Sequence, residues 1–269
     1  RYIVIDGFTI DGQSQTTGTG IALSAYNWGD IHHLRIINNE IKNMRNDGIT
    51  GGHGTFLEVV NNSIHDVGSA APGYAHGIYA VMANSIVERN KIYNAAGYGL
   101  HFYNNFGGSG MDANVVRYNI VYRNRDAGIL ASGTNMQIYA NVVYSNGSEG
   151  ISGTQGGATI YVYNNTVYAN GSYGILNTTV SGMVVKNNIS YLNASNFAVF
   201  GTNTVQSNNL IGIDPLFVDP SGANFRLQSG SPGIGIGTCT IFTTLPSICT
   251  GSSCDTGAYQ TGSSLLATP

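Results

Sequence analysis

Charge is what this chain has least of: only 9% of its 269 residues are Asp, Glu, Lys or Arg, and the formal net charge is −3. Proteins that grip nucleic acid need clustered Lys and Arg to displace counterions from phosphates. With 11 Lys and Arg in total, no basic stripe exists, so nucleic acid is not an expected partner. No run of about 18 apolar residues occurs, so no membrane span is expected. Cysteine is almost as sparse. Cys239, Cys249 and Cys254 all fall near the C-terminus, and an odd number permits at most one intrachain bridge, whose pairing stays open. A bridge there suits an oxidising, extracytoplasmic setting. A zinc site would need a fourth ligand that the neighbouring sequence lacks. Helical periodicity is also missing, since no stretch keeps a 3.6-residue pattern beyond a turn. The chain opens directly on a strand-like run from Arg1 to Phe8, without a charged n-region or apolar h-region, so further coils or a signal peptide are expected upstream.

Repetition is what the chain has in abundance. A Gly-Ile marker recurs at Gly20, Gly48, Gly77, Gly99, Gly128, Gly150 and Gly174, with a last variant at Ala198-Val199. A second marker, an Asn two or three residues before an apolar residue, recurs in phase at Asn39, Asn62, Asn90, Asn119, Asn141, Asn165, Asn188 and Asn209. Each unit is too short to bury its own apolar face, so the units must stack. Short β runs punctuated by Gly and Asn predict three strands per coil joined by tight corners of positive φ. The expectation is an all-β, parallel β-helix of about eight or nine coils over residues 1–210, followed by a C-terminal cap and a Gly/Ser/Thr/Cys-containing tail over 211–269.

The columns support a stack in register. Three residues before each ladder Asn stands an aliphatic (Ile36, Val59, Val87, Val116, Ile138, Val162, Val185), with Gln206 breaking the series; two after it stands another, from Ile41 to Val167. Equivalent positions of adjacent coils lie about 4.8 Å apart, so Asn over Asn can pass amide hydrogen bonds along the axis. A second, shorter column runs through Asn124, Asn146, Asn170 and Asn193. An outward column of Lys42, His65, Tyr93, Tyr122, Tyr144, Tyr168 and Tyr191 reads either as a sugar-binding strip or as rings that stabilise the sheet by stacking on one another.

Several segments carry a resemblance: Tyr2 to Ile10, His76-Gly-Ile-Tyr79, Gly97 to Tyr103, and the repeated Asn-Asn-x-Val/Ile corner. There the chain resembles the bacterial right-handed parallel β-helix proteins of the pectate-lyase-like superfamily, which holds polysaccharide lyases, epimerases and hydrolases. Asp214 to Pro220, Phe225 to Pro232 and Asp255 to Gln260 resemble a C-terminal segment of secreted, repeat-containing members. The resemblance implies that the Asn corner follows the second strand of each coil and that the Gly-Ile strand is the first. It further implies a substrate groove along the outside of that first strand.

Outward positions after the inward Ile are Ala22, Thr50, Tyr79, His101, Leu130, Ser152 and Leu176. Chemically capable types concentrate in the third and fourth repeats: His76 and Tyr98 precede their Gly, Tyr79 and His101 are column neighbours, Tyr103 follows, and His53 lies after the previous strand. The longest insertions, 68–75 and 104–110, coincide with them, and loops on a rigid stack are a usual place for function. Abstracting the C5 proton of a uronate needs a base, a proton donor and something to neutralise the carboxylate. His76 or His101 is the candidate base and Tyr79 or Tyr103 the candidate donor. His53, Tyr98, Arg123 and Arg125 are candidate substrate-binding groups, the Arg forks being matched to carboxylate. A hydrolase would instead use paired carboxylates drawn from Asp47, Asp66, Asp126 and Glu149. No dense acidic cluster supports a Ca²⁺ cage, and no cofactor is expected.

The leading expectation is a secreted bacterial protein acting on an extracellular polysaccharide by lyase- or epimerase-type proton abstraction. The alternative from another class is a non-catalytic surface or adhesive module, with head-to-tail self-association through its open edge.

Overall fold

The computed structural model describes residues 2–13, 18–24, 31–70, 72–103, 111–154, 158–239 and 253–261. Three parallel sheets of nine strands each run the length of the repeat region. The first carries the Gly-Ile strands, from Ile21–Ala22 to Ser195–Val199; the second carries the strands that end at the ladder Asn, from Ile3–Asp6 to Val205–Ser207; the third runs from Thr9–Asp11 to Leu210–Ile211. Every coil pairs only with the coils before and after it, which is a parallel β-helix.

The predicted columns are the observed registers. Ile36, Val59, Val87, Val116, Ile138, Val162 and Val185 pair in succession, and Gln206 follows them. All seven aliphatics are buried and form one side of a continuous core; Ile41, Ile64, Ile92, Val121, Val143 and Val167 form another. In the first sheet Ile21, Ile49, Ile78, Leu100, Ile129, Ile151 and Ile175 stack, and the next residue in that column is Phe197. The expected last marker, Ala198-Val199, is therefore displaced by two positions: Ala198 pairs with the outward Leu176, and the marker falls on Asn196-Phe197. The reason is local, because the Asn196 side chain accepts from both the amide and the side chain of Asn193 and sets the corner early.

The asparagine ladder is continuous from Asn39 to Asn209. Each Nδ2 donates to the Oδ1 of the next member at 2.9–3.0 Å, and each also donates to a backbone carbonyl of an earlier strand, as Asn141 does to Val116. The second column behaves alike from Asn124 through Asn146 and Asn170 to Asn193. Positive φ at these corners falls mainly on residues other than glycine. The residue before every ladder Asn, from Asn38 and Asn61 through Arg89, Tyr118 and Ala140 to Asn208, is left-handed. The Gly-Ile glycines serve a different need. A Cβ on Gly77 would collide with the Ile92 side chain and stand 2.6 Å from the Gly99 carbonyl oxygen.

The tyrosine column is only partly open. His65, Tyr93, Tyr122 and Tyr144 stack face to face with centroids 4.6–4.9 Å apart, so their faces are spent on one another. A pyranose cannot stack on a face that is already covered, which removes the basis for a flat sugar-binding strip there. Further along, Phe217 and Phe225, from an antiparallel pair of strands, pack against Tyr144 and Tyr168, and Ala258 and Tyr259 join the same cluster. The Gly257 amide donates to the Asn187 carbonyl at 2.7 Å, so this segment lies along the flank of the helix. Cys239 is disulfide-bonded and Cys254 is a free, buried thiol, whereas Cys249 lies outside the described residues.

Candidate functional site

Parallel register places Thr50, Tyr79 and His101 in one outward row of the first sheet. Around them opens a cavity of about 490 Å³ lined by Asp47, Thr50, Gly73, Tyr74, His76, Tyr79, Tyr98, His101 and Tyr103. The sheet supplies the floor, the corner residues His76 and Tyr98 one wall, and Gly73 and Tyr74 the rim. The second insertion, 104–110, lies outside the described residues.

The aromatic groups form one connected cluster. His76 stacks on Tyr79 at 5.2 Å and meets His101 edge-on at 4.8 Å; Tyr98 and Tyr103 contact His101 at 4.7 and 5.2 Å. Two hydrogen bonds order the imidazoles. The Tyr98 backbone N–H donates to His76 Nδ1 at 3.4 Å, and His76 Nε2 lies 3.2 Å from His101 Nδ1. His101 Nε2 is buried and has no partner. Asp47, one coil earlier, accepts from the His76 backbone N–H at 2.7 Å and from the Thr50 hydroxyl at 3.0 Å. It thereby ties the start of one Gly-Ile strand to the row of the previous coil.

Burial dominates the electrostatics. His101 is only 7% exposed. Desolvation, with the neighbouring His76 adding to it, lowers its pKa to about 3. Burial also lowers His76, against the opposing pull of the Asp47 and Asp126 carboxylates and the Ala75 carbonyl. Burial, then Tyr103 and Asp47, pushes the Tyr79 phenol up to about 12, and burial raises Tyr98 as well. Burial thus favours the uncharged form of both imidazoles and of the Tyr79 and Tyr98 phenols, with the Asp47 carboxyl beside them.

Of the sequence-predicted residues, His76, Tyr79, Tyr98, His101 and Tyr103 converge on this cavity. His53, at a left-handed position within Ile49–Thr55, does not line it. Arg123 occupies a left-handed corner beyond the third sheet, and its guanidinium lies over the Tyr122 ring at 5.8 Å. Arg125 lies behind the rim: its Nη1 stands 3.2 Å from where a Gly73 side chain would begin. Among the described residues no Lys or Arg lines the cavity. Of the candidate hydrolytic carboxylates only Asp47 reaches it. Asp66 pairs with His65 on the third sheet, and Asp126 and Glu149 lie outside the lining. Tyr74, 85% exposed at the rim, was visible in the sequence only as part of a long insertion. Among the described residues no three His, Cys, Asp or Glu side chains group to hold a metal ion, and no helix is long and apolar enough to cross a membrane.

A stack of parallel coils with a polar ladder and a cavity on the first sheet defines a parallel β-helix protein. The family model of the right handed beta helix region matches residues 2–151 and 76–241, and the chain belongs to that family. Among solved structures it is similar to the pectate lyase Pel9A, at 18% identity and a TM-score of 0.63, covering 89% of this chain and 68% of that one. It is also similar to the periplasmic alginate epimerase AlgG, at 19% identity and a TM-score of 0.50, covering 65% of this chain. The chain spans about half, 47%, of that epimerase. At these identities the likeness is one of fold. No curated protein matches the sequence.

Proposed function

We propose that this protein is an extracytoplasmic, carbohydrate-active β-helix in which a polysaccharide lies along the first sheet and one sugar enters the cavity for lyase- or epimerase-type proton abstraction. The observation that carries the reading is the convergence of His76, Tyr79, Tyr98, His101 and Tyr103 on one concave site. The fold it shares with a pectate lyase and an alginate epimerase, and the disulfide at Cys239, support it. In such chemistry a base removes the C5 proton of a uronate. The C4–O bond then breaks with protonation of the leaving oxygen, or a proton returns from the other face. His101, Asp47, Tyr79 and Tyr103 are the groups placed to give, take or hold a proton at the sugar.

The test is incubation with pectate, alginate and other uronate polymers. Ultraviolet absorbance from a new unsaturated uronate reports elimination, and exchange of the C5 hydrogen in deuterium oxide reports epimerisation. Silence in both assays overturns the catalytic reading. A second reading, a non-catalytic sugar-binding module, is favoured by one observation: among the described residues the cavity lining holds no cation to neutralise a uronate carboxylate. Binding without turnover is its signature.

A further inference from the structure

The two imidazoles are wired in one direction. A backbone amide has no tautomer and can only donate, so the Tyr98 N–H at 3.4 Å from His76 Nδ1 calls for an acceptor there, against the Ala75 carbonyl, which pulls for a ring N–H; the Tyr98 contact is taken as the one that sets the ring. In the neutral ring the proton then sits on His76 Nε2, and the 3.2 Å contact carries it toward His101 Nδ1. His101 Nδ1 is in turn an acceptor, and the His101 proton is left on Nε2. That atom is the one that the structure leaves buried and unpartnered on a side chain lining the cavity. Both ring nitrogens of His76 are thus engaged within the protein, and neither is free to meet a substrate.

We propose that His101 is a neutral hydrogen-bond donor to an acceptor oxygen of the bound sugar, and that His76 is a positioning residue that fixes the His101 tautomer. This inference rests on the carbohydrate reading for its ligand, but its wiring does not. A buried donor left without a partner is costly, so a ligand oxygen that reaches it is favoured. The arrangement suits a lining that, among the described residues, carries no cation. A neutral N–H stabilises charge developing on a carboxylate or ring oxygen without a charged group having to be buried. Strong burial keeps the ring uncharged over the physiological range, so the donor is present at any working pH. The role of proton acceptor then falls to the Asp47 carboxylate or to a tyrosine, not to either histidine. The sequence offered His76 or His101 as the base; the backbone amide beneath His76 gives His101 the donor's part instead.

Nitrogen-15 spectra of the histidine-labelled protein at neutral pH read the tautomers directly. The expected result is protonated Nε2 and unprotonated Nδ1 on both His76 and His101. An unprotonated His101 Nε2 overturns the proposal. In His76→Leu the His101 signals should move toward a mixture of tautomers; an unchanged spectrum would show that His76 does no positioning. Calorimetric titration with oligogalacturonate, oligomannuronate and neutral gluco-oligosaccharides supplies the second arm. His101→Gln keeps an N–H near the Nε2 position but cannot act as a base, and it should bind within about tenfold of the wild type. His101→Leu should bind roughly 10- to 100-fold more weakly, the loss expected for one unsatisfied ligand oxygen. Equal losses in the Gln and Leu variants, with both folded by thermal melting, overturn the donor role. If no saccharide binds the wild type, the carbohydrate reading fails, while the spectrum still decides the tautomers.

Discussion

At the scale of single residues, glycine is not what turns most corners of the coils. Glycine is the usual answer to positive φ. Here left-handed corners are filled by Asn38, Asn61, Arg89, Tyr118 and Ala140, while Gly77 and its equivalents are small because the next coil leaves no space. The ladder Asn residues hold those corners by satisfying backbone groups that would otherwise be buried without partners. Asn141 is representative: it donates to Asn165 Oδ1 and the Val116 carbonyl, and its Oδ1 accepts from Asn119. Asn141→Ala should therefore cost about 2–4 kcal/mol, since several buried donors and acceptors lose partners together. Denaturant unfolding checks this, and a change under 1 kcal/mol would mean that the ladder is ornamental. The ladder was legible in the sequence because identical side chains recur in phase with the aliphatic columns. The fate of Arg123 was not. Its position in a corner was visible, but the left-handed backbone that turns its guanidinium onto Tyr122 depends on local geometry that residue spacing does not encode.

At the scale of elements, the first sheet and the C-terminal segment use the stack in opposite ways. The row Thr50, Tyr79 and His101 was predictable because register alone makes column neighbours, whatever the loops do. The cavity wall depended on more. Tyr74 and Gly73 reach the site through the path of the 68–75 insertion, and Asp47 reaches it through hydrogen bonds to His76 and Thr50. Sequence flagged that insertion and that carboxylate separately, without a reason to join them. On the opposite flank, Phe225 inserts between Tyr144 and Tyr168 and anchors the C-terminal segment. Phe225→Ala should remove about 3–5 kcal/mol of packing from this cluster. Because the coils beneath keep their own pairing, the loss should be local. Hydrogen exchange should accelerate in residues 217–227 and 253–261 while the ladder amides stay protected. Uniform acceleration across the coils would show instead that the flank is integral to the stack.

At the scale of the whole molecule, the buried histidines couple stability to pH. In the unfolded chain an imidazole takes up its proton near pH 6.5, whereas folded His101 refuses one until about pH 3. Between those values the unfolded state binds more protons, so stability rises with pH and is lost as pH falls. The slope from His101 alone is about 1.4 kcal/mol per pH unit once the unfolded imidazole is charged. His76, also lowered by burial, adds to it, although Asp47 and Asp126 pull it the other way. The window from pH 6.5 to 4.5 isolates this effect from the carboxylates, which titrate lower. Urea unfolding across that window should show a shallower pH dependence in His101→Gln than in the wild type, and equal slopes would mean that the buried ring charges freely in the native state.

The ladder bonds run one way throughout, each Nδ2 giving to the Oδ1 of the following coil. In the surrounding sheets successive peptide dipoles largely cancel. The column of side-chain amides cannot cancel, so their moments add along the axis, with the electropositive end toward the last coil. Hydrogen bonds arranged in such a file polarise one another. A break near the middle, at Asn119 or Asn141, should then weaken members several coils away, giving this otherwise nearest-neighbour architecture a longer-ranged thread of communication than backbone pairing alone provides.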